Sequence, residues 1–120
     1  PILGVCLGHQ AIGEAFGADL LNLEEVYHGI ETPITRVVAD APLFLGLPDQ
    51  FQAGRYHSWV VKKDSLPPEL EITAVDDRGE IMAMRVRGMQ FHPESIMTPE
   101  GKQMLANFFK YCVNPEPVTV

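Results

Sequence analysis

The stretch Gly4-Val5-Cys6-Leu7-Gly8 decides the fold, because it joins a short apolar segment to an amphipathic one. Residues 2–6 are apolar and bounded by Gly8, which predicts a central strand of a parallel sheet. Residues 9–16 predict a helix, with Gly17 directly after its last turn. Its expected apolar face consists of Ala11, Ile12, Ala15 and Phe16. A strand that turns directly into a helix is typical of α/β domains.

The rest of the chain supports the same fold class, α/β. We predict strands at residues 18–23, 32–38, 71–75, 80–85 and 88–91, a helical turn at 42–47, and a strand with a loop at 51–61. The run Asp76-Asp77-Arg78-Gly79 indicates a hairpin turn between two of these strands. A last helix is predicted after the cap Thr98, with Pro99 and Glu100 in its first turn. Its expected apolar stripe is Met104, Leu105, Phe108 and Cys112.

Composition excludes several classes of function. The chain has 120 residues, of which 46% are hydrophobic and 21% charged, so we expect one folded domain. Nine basic and sixteen acidic residues give a net charge of −7. This charge argues against nucleic-acid binding, since phosphate contacts need clustered Lys and Arg. No apolar run approaches the roughly 18 residues of a membrane span. Two cysteines are too few for a disulfide framework and favour a reducing, cytoplasmic compartment.

Cys6 is the candidate nucleophile. Its surroundings match a nucleophile elbow with sulfur in place of the serine oxygen, and Gly4 and Gly8 remove side chains that would collide in the sharp turn. The following helix points its N-terminal dipole at the sulfur, which favours the thiolate. The N–H of Leu7 is placed to donate to an oxyanion. The alternative is a buried structural cysteine in a tight turn.

His92 and Glu94 are the candidate base and orienting group. Residues two apart in an extended chain project to the same side, so these two side chains are able to meet. Pro93 fixes its own φ and keeps the preceding residue extended. Cys6 would attack, His92 would move the proton, and Glu94 would hold the imidazole. The alternative is that His92-Pro93-Glu94 is a surface turn.

With Gln10, Arg55-Tyr56-His57-Ser58-Trp59 and the run from Phe91 to Thr98, these motifs resemble the class I (triad) glutamine amidotransferase family. They are most similar to the amidotransferase subunits of anthranilate synthase and of para-aminobenzoate synthesis. The resemblance implies a flavodoxin-like domain with a mainly parallel central sheet. Residues 1–113 would be the C-terminal portion of that domain, and 114–120 a tail.

The resemblance also implies a reaction and a partner. Cys6 would form a glutamyl thioester from glutamine and release ammonia, which passes to a partner synthase that uses chorismate. The product of that synthase is either anthranilate or aminodeoxychorismate. No cofactor or metal is implied for this subunit, and magnesium would bind to the partner.

Two alternatives belong to other classes of function. An amidotransferase domain of guanylate or carbamoyl phosphate synthesis is disfavoured by Arg55-Tyr56-His57-Ser58 and by Ser95-Ile96-Met97-Thr98. A non-catalytic regulatory module on the same scaffold is disfavoured by the presence of Cys6, His92 and Glu94 together.

The resemblance assigns three further residues to the substrate. Gln10 would bind the α-groups of glutamine, and its alternative is a glutamine on an exposed helix face. Ser58 and Trp59 match positions whose backbone contacts glutamine. Because the backbone makes the contact, a tryptophan is tolerated at position 59, where the family commonly has leucine. A core aromatic is the other interpretation of Trp59, and both can hold.

Three histidines lie outside the expected triad. For His9 and His57 we favour structural hydrogen bonds over metal binding, since no pair has the spacing of a zinc site. His28-Gly29 matches a His-Gly element of the related subunits, but the lysine that usually follows is Ile30 here.

Two departures from the family pattern matter. The family has an N-terminal half whose glycine-rich loop supplies the second oxyanion N–H and part of the glutamine pocket, and nothing in residues 1–120 matches it. We therefore expect that the N-terminal part is missing. The turn at Met84-Arg85-Val86-Arg87-Gly88 is also shorter than in relatives. Either a deletion has shortened it or a loop is missing from the sequence, and we predict a missing loop.

Overall fold

The computed structural model describes residues 3–24, 29–86, 94–96, 101–108 and 110. The helices and strands in these ranges are β1 (Leu3–Val5), α1 (Leu7–Ala15), β2 (Leu20–Asn22), β3 (Ile30–Arg36), β4 (Gln50–Arg55), β5 (Trp59–Val61), β6 (Leu70–Asp76), β7 (Ile81–Val86), β8 (Glu94–Ile96) and α2 (Gly101–Phe108). Short 3-10 turns lie at Pro42–Phe44 and Lys63–Ser65. The predicted α/β class is confirmed, and no helix in the described part of the chain is long and apolar enough to cross a membrane.

The main sheet has six strands in the order β1-β8-β7-β6-β3-β4. β1 and β8 are parallel, with Leu3 beside Glu94 and Val5 beside Ile96. The other neighbours in this sheet pair antiparallel, and β2 pairs antiparallel with β5 in a second sheet. Within the described residues, the mainly parallel arrangement that we predicted is therefore limited to β1 and β8. A reason lies in the tight turn that joins β6 to β7, because strands connected by a hairpin run antiparallel.

The predicted hairpin is confirmed at β6 and β7. One oxygen of the Asp76 carboxylate, Oδ1, accepts hydrogen bonds from the backbone N–H groups of Arg78 (2.9 Å) and Glu80 (2.8 Å). Gly79 has a φ of 80°, a left-handed conformation that glycine adopts without steric cost. The turn is therefore fixed by one buried side chain, whose second oxygen points to the interior of the molecule.

The packed face of α1 differs from the predicted one. His9 and Gly13 are the buried residues of this helix, whereas Ala11, Ala15 and Phe16 are exposed. A Cβ atom on Gly13 would lie 2.9 Å from Cγ2 of Val61, so the glycine lets the helix backbone approach the sheet closely. Close approach through a glycine, and not a row of larger apolar side chains, seats α1 on β5.

The core lies on both sides of the hairpin strands. One buried cluster includes Phe44 and Phe51, whose ring centroids are 5.7 Å apart. A second cluster, below α1, includes Val61, Ile81 and Met84. The second cluster forms the floor on which the C-terminal half of α1 lies, through Ile12 and Gly13.

The helix α2 confirms one part of its predicted stripe and corrects another. Met104 is fully buried, but Leu105 is 46% exposed, so the stripe is narrower than predicted. A polar contact holds the helix instead, since the Asn107 amide donates to the carbonyls of Leu43 and Leu45, both at 2.8 Å. These two bonds fix the face of α2 that contains Met104 and Asn107, which are both buried.

Several predictions concern parts of the chain outside the described residues. These parts are the strand at 88–91, the cap of α2 with Thr98, His28, Cys112 and the tail at 114–120. Arg85 and Val86 continue β7, while Arg87 lies outside the described residues, so the missing loop stays a prediction.

Candidate active site

Cys6 adopts a strained backbone conformation between β1 and α1. Its φ is 58° and its ψ is −105°, and among the described residues it is the one non-glycine residue with positive φ. Such a conformation costs about 1–3 kcal/mol and persists only where the surrounding structure imposes it. The Cys6 carbonyl accepts the first hydrogen bond of α1, from the N–H of Gln10 at 3.1 Å. The elbow geometry expected from the sequence is therefore present.

The two glycines of the elbow are not equivalent. A Cβ atom on Gly4 would lie 2.6 Å from Cδ1 of Ile12 and 2.7 Å from the carbonyl carbon of Gly8, so no side chain fits there. A Cβ atom on Gly8 would have no atom within 4 Å among the described residues. The expectation that glycines prevent collisions is thus confirmed for Gly4 and wrong for Gly8, because the helix crosses the strand at Gly4 and turns away from it after Gly8.

The N-terminus of α1 provides the positive end of a helix dipole beside Cys6. The helix begins at Leu7, directly after the cysteine. The first N–H groups of a helix have no acceptor within the helix, so that of Leu7 is available to an oxygen held near the sulfur. The side chain of Leu7 is 75% exposed and contributes little to packing.

A cavity lies beside Cys6, between α1 and the segment that joins β4 to β5. It is lined by Cys6, His9, Gln10, His57, Trp59, Val60, Ile81 and Met82. The Gln10 amide spans the cavity wall, since its Nε2 donates to the carbonyl of Trp59 at 3.0 Å. Gln10 therefore bridges from α1 to the backbone at Trp59, with its side chain partly exposed.

Trp59 contributes its backbone and not a buried ring. Its side chain is 45% exposed, so the interpretation as a core aromatic is wrong. The adjacent Ser58 does not line the cavity, and its carbonyl accepts a 2.6 Å hydrogen bond from the N–H of Leu23. Of the two predicted backbone contacts, the structure places that of Trp59 at the cavity.

His57 has the structural hydrogen bonds that we predicted. Its Nδ1 lies 2.9 Å from the Trp59 carbonyl and its Nε2 accepts a 3.1 Å bond from Nε of Arg55. Burial lowers the pKa of His57 below its usual value, and the nearby Arg55 charge acts in the same direction, against the hydrogen bond to Trp59. The neutral imidazole is therefore favoured at neutral pH.

His9 differs from this prediction. Its Nδ1 is buried and has no hydrogen-bond partner in the described part of the molecule. Burial, with a smaller contribution from the charge of His57, lowers the pKa of His9 from 6.5 to about 4. A neutral imidazole with a buried, unpaired nitrogen thus lies in the wall of the cavity, three residues after Cys6. No group of three or more His, Cys, Asp or Glu side chains among the described residues is arranged for a metal ion.

The predicted triad is only partly within the described residues. The pairing of β8 with β1 brings Glu94 onto the strand beside β1, which ends at Val5 directly before Cys6. In this register the Glu94 backbone is level with Leu3, about 10 Å along the strand direction from Cys6 at 3.3 Å per residue. His92 lies outside the described residues. The Cys6, His92 and Glu94 triad therefore stays a prediction.

A buried ion pair behind the cavity was missed at the level of sequence. Arg55 and Asp76 have fully buried side chains, with Nη1 and Oδ2 2.7 Å apart. Strand alternation carries the missing signal: Phe51, Ala53 and Arg55 all face inward along β4, and Asp76 ends the inward row of β6. Opposite charges on two inward rows of one sheet predict a buried pair.

Comparison with known proteins identifies the family of the chain. Residues 1–112 match the family model for class-I glutamine amidotransferases. The chain therefore belongs to the class-I glutamine amidotransferase family.

Within this family, the chain is similar to second components of two synthases. The chain is 47% identical over 120 residues to anthranilate synthase component 2 of Pseudomonas aeruginosa, covering 92% of this chain and 59% of that protein. It is 48% identical over 113 residues to aminodeoxychorismate synthase component 2 of Escherichia coli, covering 90% and 59%. Thus the chain spans about three-fifths of the length of these relatives.

A solved structure supports the fold alone. A glutamine amidotransferase from Thermotoga maritima superimposes with a TM-score of 0.68 at 16% identity, covering 91% of this chain and 45% of that one. The flavodoxin-like α/β fold expected from the resemblance agrees with this superposition.

Proposed function

We propose that the protein is the glutamine-hydrolysing subunit of a chorismate-using synthase, with Cys6 as the nucleophile. The observation that carries this proposal is the strained backbone of Cys6 at the N-terminus of α1, beside a cavity lined by Gln10. A positive φ costs free energy, and a purely structural cysteine would have no use for it. A nucleophile has, because the sharp turn presents its sulfur to a substrate.

The first half of the reaction forms a thioester. The Cys6 sulfur attacks the side-chain amide carbon of glutamine, and the N–H of Leu7 donates to the oxyanion that develops. His92 transfers the proton taken from the thiol to the amide nitrogen. The C–N bond then breaks, ammonia leaves, and a glutamyl thioester remains on Cys6.

The second half releases glutamate. Water adds to the thioester carbon while His92 accepts its proton, and the C–S bond breaks to return the sulfur. Glu94 would hold the imidazole of His92 throughout. Gln10 would bind the α-groups of the substrate, with the backbone of Ser58 and Trp59 completing that end of the site. No step requires a metal or another cofactor.

The destination of the ammonia is proposed from the relatives. Two proteins with nearly half of their aligned residues identical to this chain are named as second components of anthranilate synthase and of aminodeoxychorismate synthase. A second component implies a first, so we propose a partner synthase subunit that combines ammonia with chorismate in the cytoplasm. The similarity to both relatives leaves both products as candidates.

The test uses the native protein purified together with its partner synthase. We expect Cys6→Ala to reduce glutamate release from glutamine by about 10⁴-fold or more, since removing a nucleophile costs that much in comparable enzymes. Product formation from ammonium chloride and chorismate should persist in the same variant, because the partner is intact. The matched control is Cys112→Ala, which changes the other cysteine of the chain and should retain glutaminase activity.

Two results would contradict the proposal. One is glutamine-dependent product formation in Cys6→Ala at the rate of the unmodified protein. The other is covalent labelling by a diazoketone analogue of glutamine at Cys112 and not at Cys6, which mass spectrometry of the labelled peptide would show.

A further inference from the structure

A row of buried hydrogen bonds connects the β6–β7 hairpin to the cavity. It begins at Asp76, whose Oδ1 fixes the hairpin turn and whose Oδ2 accepts a 2.7 Å bond from Nη1 of Arg55. Nε of Arg55 donates in turn to Nε2 of His57 at 3.1 Å. Both charged side chains are fully buried, so the row is shielded from solvent until it reaches His57.

Chemistry fixes the proton positions along this row. A guanidinium only donates, so Nε2 of His57 must accept the bond from Arg55 and carry no hydrogen. The proton of the neutral ring is therefore on Nδ1, which donates to the Trp59 carbonyl at 2.9 Å. The Nε2–H tautomer would bring two donors together at Arg55 and leave two acceptors together at Trp59.

The Trp59 carbonyl receives a second bond at the cavity, from Nε2 of Gln10 at 3.0 Å. This bond fixes the orientation of the Gln10 amide, because only its NH₂ group is able to donate to a carbonyl. Oε1 of Gln10 is therefore the acceptor that remains for a ligand. The direction of one backbone carbonyl thus determines which face Gln10 presents to the cavity.

The buried ion pair of Arg55 and Asp76 is not explained by stability alone. Desolvation of the two charges offsets most of their attraction, and apolar replacements of similar volume are often as stable. The pair does fix an orientation: Nη1 of Arg55 is held by Asp76, and Nε, which is only able to donate, then determines which nitrogen of His57 accepts.

We propose that Asp76, Arg55 and His57 form a positioning relay that orients the Trp59 carbonyl and, through it, the Gln10 amide for binding the amino-acid end of glutamine. The relay rests on the proposed function. None of its three residues touches the reacting atoms, so its effect is expected on substrate binding and not on the chemical step.

The experiment compares two variants of His57 in the native complex. In His57→Asn the amide nitrogen replaces Nδ1 and keeps the donor to Trp59, whereas His57→Ala removes it. We expect His57→Ala to raise the KM for glutamine about 10-fold with kcat changed less than about 3-fold, as for the loss of one hydrogen bond to a binding group. His57→Asn keeps the donor to Trp59 but has no acceptor for Nε of Arg55, so its KM should rise, but by less than that of His57→Ala.

Asp76→Asn tests the far end of the relay. The amide oxygen is still able to fix the hairpin turn, but the negative partner of Arg55 is lost, so the KM should again rise about 10-fold at little cost in kcat. Asn107→Ala is the structural control, because it removes two buried hydrogen bonds to Leu43 and Leu45 without lining the cavity. It should lower the Tm and leave the KM unchanged.

Each outcome decides between a row that orients Gln10 for substrate binding and a row that only stabilises the fold. If His57→Ala and Asp76→Asn lower the Tm as Asn107→Ala does but leave the KM unchanged, the relay is wrong and the row is only structural. A direct check is the nitrogen NMR spectrum of labelled histidine, in which a protonated Nε2 on His57 would also overturn the relay. If the unmodified complex does not release glutamate from glutamine, the proposed function fails, and the tautomer still decides whether the row is arranged as described.

Discussion

The two walls of the cavity differ in backbone strain and in how their polar groups are hydrogen-bonded. The α1 wall contains a strained residue, Cys6, and a buried imidazole, His9, whose Nδ1 has no partner in the described part of the molecule. The opposite wall, between β4 and β5, contains His57 with both ring nitrogens bonded and a carbonyl at Trp59 that accepts two bonds. The α1 wall thus contains backbone strain and an unpaired nitrogen, whereas both ring nitrogens of His57 in the opposite wall are hydrogen-bonded.

This difference indicates that one wall serves the chemical step and the other serves substrate recognition. Strain and unpaired polar groups persist where chemistry needs them and the surrounding structure supports them. A satisfied hydrogen-bond row gives fixed orientation, which suits recognition. We therefore expect substitutions of Cys6 and His9 to change stability and the chemical step, and substitutions in the opposite wall, which orients Gln10 through the Trp59 carbonyl, to change substrate binding.

The largest effect on stability is expected at the crossing of β1 and α1. Gly4→Ala places a Cβ atom within 2.8 Å of three atoms, two of them in the backbone of Gly8. Backbone cannot rotate away as a side chain does, so we expect the free energy of unfolding to fall by about 3 kcal/mol. Urea unfolding followed by circular dichroism measures this change.

Gly8→Ala is the matched control for that substitution. The space beside Gly8 is open in the described structure, and alanine is the better helix former, so its stability should change by less than about 1 kcal/mol. Equal losses in the two variants would mean that the elbow is not the tight crossing described above.

The unpaired His9 predicts a dependence of stability on pH. In the folded chain its pKa is about 4, whereas the unfolded chain has the ordinary value of about 6.5. Between these values the unfolded state binds more protons, so stability is complete above the unfolded pKa and is lost as pH falls towards the folded one. This one group should cost about 2 kcal/mol between pH 7.5 and pH 5.

Comparison with His9→Gln isolates the contribution of this histidine. The difference in unfolding free energy between the original chain and the variant should shift by that amount across the pH range. His57 is present in both proteins, so its contribution cancels apart from its interaction with His9, which is the smaller cause of the lowered pKa of His9. A constant difference from pH 7.5 to pH 5 would show that His9 binds protons equally in both states.

The strain at Cys6 predicts a smaller and opposite effect. Cys6→Gly removes the Cβ that makes a φ of 58° unfavourable, whereas Cys6→Ala keeps it. We expect the glycine variant to be about 1 kcal/mol more stable than the alanine variant, although both lack the nucleophile. If the alanine variant is the more stable of the two, the backbone at this position is not strained.

The sequence predicted the α1 wall better than the opposite one. The elbow is local: two glycines around Cys6, an apolar segment before and a helix after specify it within about ten residues. The packed face of α1 was nevertheless predicted only in part: Ile12 packs against the second cluster, but Ala11, Ala15 and Phe16 are exposed. Its contact with Val61 depends on Gly13, and a missing side chain leaves no hydrophobic signal.

The opposite wall depends on pairings across the chain. His57 was assigned structural hydrogen bonds because no ligand pair has the spacing of a zinc site. Its partner Arg55 lies on β4, and the carboxylate that holds Arg55 belongs to Asp76 on β6. Inward alternation was visible in both strands. Which inward charge meets which is set by the sheet order, and the order β6-β3-β4 separates the two strands by one that lies between them in space.

The smallest effect is expected at Trp59, and it tests whether this wall acts through backbone. The carbonyl accepts the bonds from Gln10 and His57, while the indole is about half exposed. Leucine keeps the carbonyl and suits a strand, so Trp59→Leu should change the KM for glutamine by less than about 3-fold. Steady-state kinetics of the native complex with its partner measures this value.

The variant to compare with Trp59→Leu is His57→Ala, which leaves the Trp59 side chain intact but removes a bond to its carbonyl. A KM raised 10-fold or more by Trp59→Leu, with His57→Ala unchanged, would place recognition in the indole and reverse the roles assigned to side chain and backbone.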